Sequence, residues 1–148
     1  MPQRGRWAAC AVAQAARPLI DHLVVAPCGV FVIDAKQYSG EVRVVDLGFR
    51  GMRLMIAGRD RTKLLEGLDR QLSVVRDELT SGARADVPLR GVLCFTTGEL
   101  PRFKALEIRG HLLLTRRALG RRLDAEGPLS AAAIDEIARA LGAALPRA

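Results

Sequence analysis

IDHLVVAPCGVFVIDAK, residues 20–36, decides how the chain is read. Leu19 to Val25 is rich in branched residues and predicts a strand. Ala26-Pro27-Cys28-Gly29 is turn chemistry, with Pro presetting one φ and Gly free to take a positive one. Val30 to Lys36 is a second strand, apolar on both faces and therefore central in its sheet. Asp34 and Lys36 close it. Residues two apart on a strand share a face, so a carboxylate and an ammonium emerge side by side. A turn of two or four residues pairs Val25 with Val30 and sets Asp21 opposite Asp34. A three-residue turn would instead pair Asp21 with Ala35. Facing carboxylates repel unless a cation lies between them, and hard oxygen ligands suit Mg²⁺ or Mn²⁺.

An isolated Asp-x-Lys is common and usually a surface ion pair of about 0–1 kcal/mol. What sets this one apart is its place inside apolar strands, with a third charged residue one strand away. In that arrangement Asp21 and Asp34 would hold a metal that polarises a phosphodiester. Lys36 would orient water or neutralise charge on the phosphate oxygens.

Outward from this hairpin, Val42 to Leu47 and Met52 to Ala57 form another around Gly48-Phe49-Arg50-Gly51. Arg59 to Leu79 is a long helix, with Leu64, Leu65, Leu68, Leu72, Val75 and Leu79 at helical spacing. Gln71 lies within that stripe, where a polar amide needs a partner, and it is a candidate to hold a water or Lys36. Gly82 to Pro88 is a loop and Leu89 to Thr96 a buried strand. Glu99 to Gly110 reads as irregular. His111 to Thr115 is a short strand with a structural histidine, Arg116 to Leu123 a short helix, and Ser130 caps a last helix to Leu145. Strands first, with a crossover helix before the later ones, imply an α/β fold: a mixed central β-sheet with flanking helices.

The 148 residues suit one core, and half of them are hydrophobic. Aromatics are only 4%, so the core is aliphatic. The net charge of +7 favours an anionic partner, although free use of Arg alone would also make a basic surface. Arg43, Arg50, Arg53, Arg59, Arg61 and Lys63 follow the proposed site in sequence and are the candidate DNA contacts. Three cysteines without a C-x-x-C pair speak against a disulfide framework or zinc knuckle and suit a reducing, cytoplasmic compartment. No apolar run reaches the ~18 residues of a membrane span. Basic Met1–Arg6 and small, apolar Trp7–Ala16 resemble a signal peptide faintly. Gln14 interrupts that run, which has no Leu or Ile, so 1–18 reads as an Ala-rich helix or irregular start and 19–148 as the domain.

The Ile-Asp-His strand, the Gly turn, the Val-rich strand ending in Asp34-x-Lys36 and the following Tyr38-Ser39-Gly40 resemble the nuclease-related domain family. Gln71 matches that family's helix Gln. Gly58 to Gln71 and Val87 to Phe95 are similar to its actinobacterial members, and the likeness runs from about Ile20 to the C-terminus. The resemblance implies the restriction-endonuclease-like, PD-(D/E)xK fold and Mg²⁺-dependent DNA cleavage, with no small-molecule cofactor and no membrane. It makes Asp21 and Asp34 the metal carboxylates, Lys36 the catalytic lysine and Gln71 the accessory residue. One departure stands out. The family's helix with a Glu ahead of the Ile-Asp-His strand has no counterpart, since no acidic residue precedes Asp21. A truncated or misassigned start, or a lost ligand, accounts for it. A lost ligand would leave an impaired nucleic-acid-binding module, and an interaction domain on the inherited fold is the remaining alternative.

Overall fold

The computed structural model describes residues 8–10, 22–102 and 104–145. In chain order the strands are β1 (Ala8–Cys10), β2 (His22–Ala26), β3 (Gly29–Lys36), β4 (Gly40–Asp46), β5 (Met52–Ile56) and β6 (Arg59–Asp60). Helix α1 (Leu64–Ser81) follows, then β7 (Leu89–Phe95), β8 (Gly98–Glu99), β9 (Leu106–Ile108) and β10 (His111–Thr115). Helices α2 (Arg116–Asp124) and α3 (Ala131–Ala144) complete the described chain.

The strands form two sheets. The larger has the order β1-β2-β3-β7-β10-β9, the smaller β6-β5-β4-β8. Strands β3, β7 and β10 run parallel, and their antiparallel neighbours make the large sheet mixed. Together with the helices this is a mixed α/β architecture, consistent with a restriction-endonuclease-like fold. The β2–β3 hairpin closes on the two residues Pro27 and Cys28, with Val25 opposite Val30. Gly29 is required there. Its φ is +139°, and a Cβ would come within 2.5 Å of the Pro88 carbonyl oxygen, which accepts the Val30 N–H at 2.8 Å.

Alternation divides the large sheet's residues between two apolar layers. Val30 and Val32 of β3 join Leu65, Leu68, Leu72 and Val75 of α1 and Ile137 and Leu141 of α3. Phe31 and Ile33 face the other way and pack with Val92, Leu112 and Leu123. The small sheet adds Val42, Leu54 and Ile56 to the α1 layer.

Three sequence expectations are corrected. The long helix begins at Leu64, not Arg59, because residues 59–62 are engaged elsewhere. Arg59 and Asp60 pair with β5, the Arg61 N–H donates to Leu54 C=O, and Thr62 donates its N–H and hydroxyl to Asp60 Oδ1 at 2.9 and 2.6 Å. The stretch 99–110 is not wholly irregular, since β9 and the end of β8 lie in it and are too short to show a period. Of residues 1–18 only Ala8–Cys10 are described, and they form strand β1, antiparallel to β2, where an Ala-rich helix or irregular start was expected.

Candidate functional site

Strand β3 lies between β2 and β7, and its last turn of the pleat brings Asp34 and Lys36 to the α1 face. Lys36 Nζ sits 3.2 Å from Asp34 Oδ2. The carboxylate is buried, with Asp34 only 5% exposed, while the Lys36 side chain keeps 27% of its surface. The strand end is pinned from β7, since the Thr96 N–H donates to Lys36 C=O at 3.0 Å. The ammonium is therefore held at the rim and the carboxylate beneath it. Val30, Val32 and Ile33 are buried as the sequence requires. Asp21 lies outside the described residues. The ladder that can be followed reaches His22 opposite Ile33. His22 is exposed.

Gln71 is buried at 6% exposure, and its Oε1 has no hydrogen-bond partner among the described residues. Its flank of α1 follows from its neighbours. A Cβ on Gly91 of β7 would meet Leu68 and Leu72, which places that stripe over β7. Asp69 reaches His111 at the start of β10, taking the Nε2–H on Oδ1 at 2.6 Å. Helical residues rotate by about 100° each, so Gln71 falls on the opposite flank from Asp69, toward β3. A buried carbonyl oxygen without a donor is costly, and the β3 side is where Asp34 and Lys36 stand.

Beyond Lys36 the chain turns through Tyr38 into a cleft of about 500 Å³. Arg53, Arg61, Lys63 and Arg109 supply its positive charge, with Asp60 and Glu66 opposing. The Arg61 guanidinium lies 5.1 Å from the Tyr38 ring centroid, a cation–π distance. Arg53 pairs with Asp60 at 3.1 Å. The Thr62 hydrogen bonds, then burial in the opposing direction, then Arg53 and Arg109 act on the Asp60 carboxyl, and the net result is below the usual carboxylate range. Three of the six basic residues singled out from sequence, Arg53, Arg61 and Lys63, meet in this cleft. Arg43 sits beside Glu41 on β4, Arg59 lies on edge strand β6, and Arg50 is at the β4–β5 tip. Tyr38 and Arg109 were missed. Tyr38 stood in the quoted Tyr38-Ser39-Gly40 stretch but was given no site role, and Arg109 was hidden in a stretch read as irregular.

A nuclease-related domain model matches residues 12–96, more than half of the 148. The chain belongs to the nuclease-related domain family. No curated protein and no solved structure matches it. The family match covers Asp21, Asp34, Lys36 and Gln71 and ends at Thr96, short of the C-terminal reach expected from sequence. Arg109 and β9, β10, α2 and α3 fall beyond it.

The nuclease-related domain's implied cation can be tested against the donors present. Asp34 and the unsatisfied Gln71 Oε1 are hard oxygens, and Cys94, the nearest thiol on β7, belongs to the opposite face. That chemistry fits Mg²⁺ or Mn²⁺ and not a thiophilic metal. Among the described residues no three His, Cys, Asp or Glu side chains converge, so a cation at Asp34 would need further ligands from outside them. No helix among the described residues is long and apolar enough to cross a membrane.

Proposed function

We propose that the chain is a Mg²⁺- or Mn²⁺-dependent nuclease that hydrolyses DNA phosphodiester bonds in the cytoplasm. The observation that carries this reading is the buried Asp34 joined to half-buried Lys36 at the end of the central strand, with Tyr38, two residues on, lining a cationic cleft. Asp34 and, by the sequence count, Asp21 would hold the cation. When bound there, a divalent ion supplies Lewis acidity toward a phosphate oxygen. Lys36 swings little from Asp34 to donate to the phosphate oxygen on which charge grows. Gln71 accepts from a water or from Lys36 through its free Oε1, fixing the orientation of the attacking side. Arg61, Lys63 and Arg109 grip the strand on either side of the reacting phosphate.

A second reading has its own support. The net charge of +7 supports nucleic-acid binding whether or not the chain cuts, so a module that binds nucleic acid without cutting it is the second reading. Incubation of purified protein with supercoiled plasmid and Mg²⁺ separates the two. Nicking by wild type, lost in Asp34→Ala and in Lys36→Ala, is the expected result. Binding without nicking would select the second reading, and neither binding nor nicking would overturn both.

A further inference from the structure

The β4–β5 hairpin ends in a tip that the site does not use. Phe49 stands at its apex, fully exposed, and Leu47 and Met52 beside it are the other large exposed apolar side chains among the described residues. The tip is well bonded. Gly48 N–H donates to Asp46 Oδ1 at 2.8 Å, Leu47 N–H to Gly51 C=O at 3.0 Å, and Gly51 N–H to Gly48 C=O at 2.9 Å. Gly48 and Gly51 take φ of +64° and +74°, conformations that favour glycine. The apex aromatic is therefore presented on a preformed turn, so little ordering is needed for it to bind.

The surroundings indicate what it meets. Arg50 lies at the tip and makes no ion pair among the described residues. Arg109 donates from Nη2 to Met52 C=O at 3.4 Å, tying the cationic cleft to the hairpin stem. Arg53, next to Met52, lines the same cleft paired with Asp60, and Arg61, Lys63 and Arg109 leave the lining net positive. A track of positive charge thus leads from Tyr38 to the apolar tip. Three apolar side chains are too few for a stable protein interface, and one small cluster is a weak membrane anchor. Duplex DNA offers both a phosphate backbone for the track and a stack of bases for the aromatic.

We propose that the tip is a wedge: Phe49, flanked by Leu47 and Met52, inserts between stacked bases of a duplex held along the Arg53–Arg109 cleft. This rests on the nucleic-acid reading of the cleft given above. Insertion unstacks one base step and bends the duplex, widening the protein surface it can touch. β4 carries the tip about 20 Å from Gly40 at ~3.3 Å per residue. At ~3.4 Å per base step that span is about six steps.

The test uses duplexes with 2-aminopurine scanned along one strand, the full chain, and low salt without divalent cation. Wild type should bind and raise the fluorescence several-fold at one or two adjacent positions. Phe49→Ala should bind about tenfold more weakly and leave the signal flat, while Phe49→Trp keeps both. An unchanged melting temperature for Phe49→Ala shows that the fold is intact. Equal binding by wild type and Phe49→Ala with no unstacking overturns the wedge and leaves the cleft reading standing. Absence of any DNA binding by wild type overturns both. Phe49-dependent binding to vesicles of phosphatidylserine and phosphatidylcholine in equal parts, with flat fluorescence on DNA, also overturns it and assigns the tip to a lipid surface.

Discussion

Replacing Lys36 by Met keeps the length of the side chain and removes its charge. Asp34 then loses the ammonium at 3.2 Å while remaining 5% exposed. Breaking a fully buried ion pair on one side costs about 3–5 kcal/mol. Lys36 keeps 27% of its side-chain surface, so solvent already screens the pair, and the expected loss falls to about 1–2 kcal/mol. For a chain near 150 residues that is roughly 2–8 °C in melting temperature. The partner change is asymmetric. Asp34→Asn removes the buried charge and leaves a lysine that can still reach water, so it costs less than Lys36→Met. In the double variant neither charge remains to be desolvated, and stability returns to within about 1 kcal/mol of wild type. Urea or thermal unfolding of the four proteins in EDTA measures this cycle, and plasmid nicking in Mg²⁺ is read on the same samples. Stability should recover in the double variant while nicking stays absent. Strictly additive costs, or a Lys36→Met protein as stable as wild type, would show that Asp34 does not depend on Lys36 and would refute the reasoning.

Gly91→Ala forces a Cβ to within 2.6 Å of His111 Nδ1 and 2.8 Å of Leu72 Cδ1, with His111 itself held by Asp69. It should cost about 1–3 kcal/mol by lifting α1 from β7, and a melting temperature unchanged within error would contradict that close approach. Phosphate contacts by Arg61, Lys63 and Arg109 predict that log K for DNA falls with log salt at a slope of about −2.7, near 40-fold from 50 to 200 mM. A flat dependence, checked by fluorescence anisotropy, would remove the cleft from the interface. Asp60 should titrate below its ordinary value of 3.8, so its bonds to Thr62 contribute stability above that pH and lose it only as pH falls through the lower folded value. A carboxyl carbon NMR titration with its midpoint at or above 3.8 would show the Thr62–Asp60 turn to be absent in solution.

The parts of the fold that were legible are those with a period. Val30 to Ile33 and the Leu65–Leu79 stripe report their faces directly, whereas Pro27 and Gly29 marked a turn whose length of two, three or four residues is decided only by the β2–β3 register. The site was legible only as far as one strand carries it. Asp34 and Lys36 share a face by alternation alone, whereas the cleft is built from β5, β6, the start of α1 and the β9–β10 turn, which meet only through tertiary packing. Arg59 to Thr62 could not be told from helix because their competing partners, Leu54 C=O and the Asp60 carboxylate, are a local turn and a strand away. The division into two sheets was not foreseen, since strands of two or three residues such as β6, β8 and β9 leave no pattern.

The parallel ladder from β3 through β7 to β10 bears on how the chain can be cut for expression. The family match stops at Thr96, one residue past β7, yet β7 is an interior strand with β10 on its far side. A fragment ending there would retain Asp34, Lys36 and the Thr96 clasp, and would turn β7 into a bare margin. Its Val92, Leu93, Cys94 and Phe95, all buried in the intact sheet, would then lie beside a row of unmatched N–H and C=O groups. Such an edge recruits strands from other molecules and leads to insoluble aggregates. The stretch that defines family membership is thus not a separable module of this protein, and β10 belongs in any fragment meant to stay in solution.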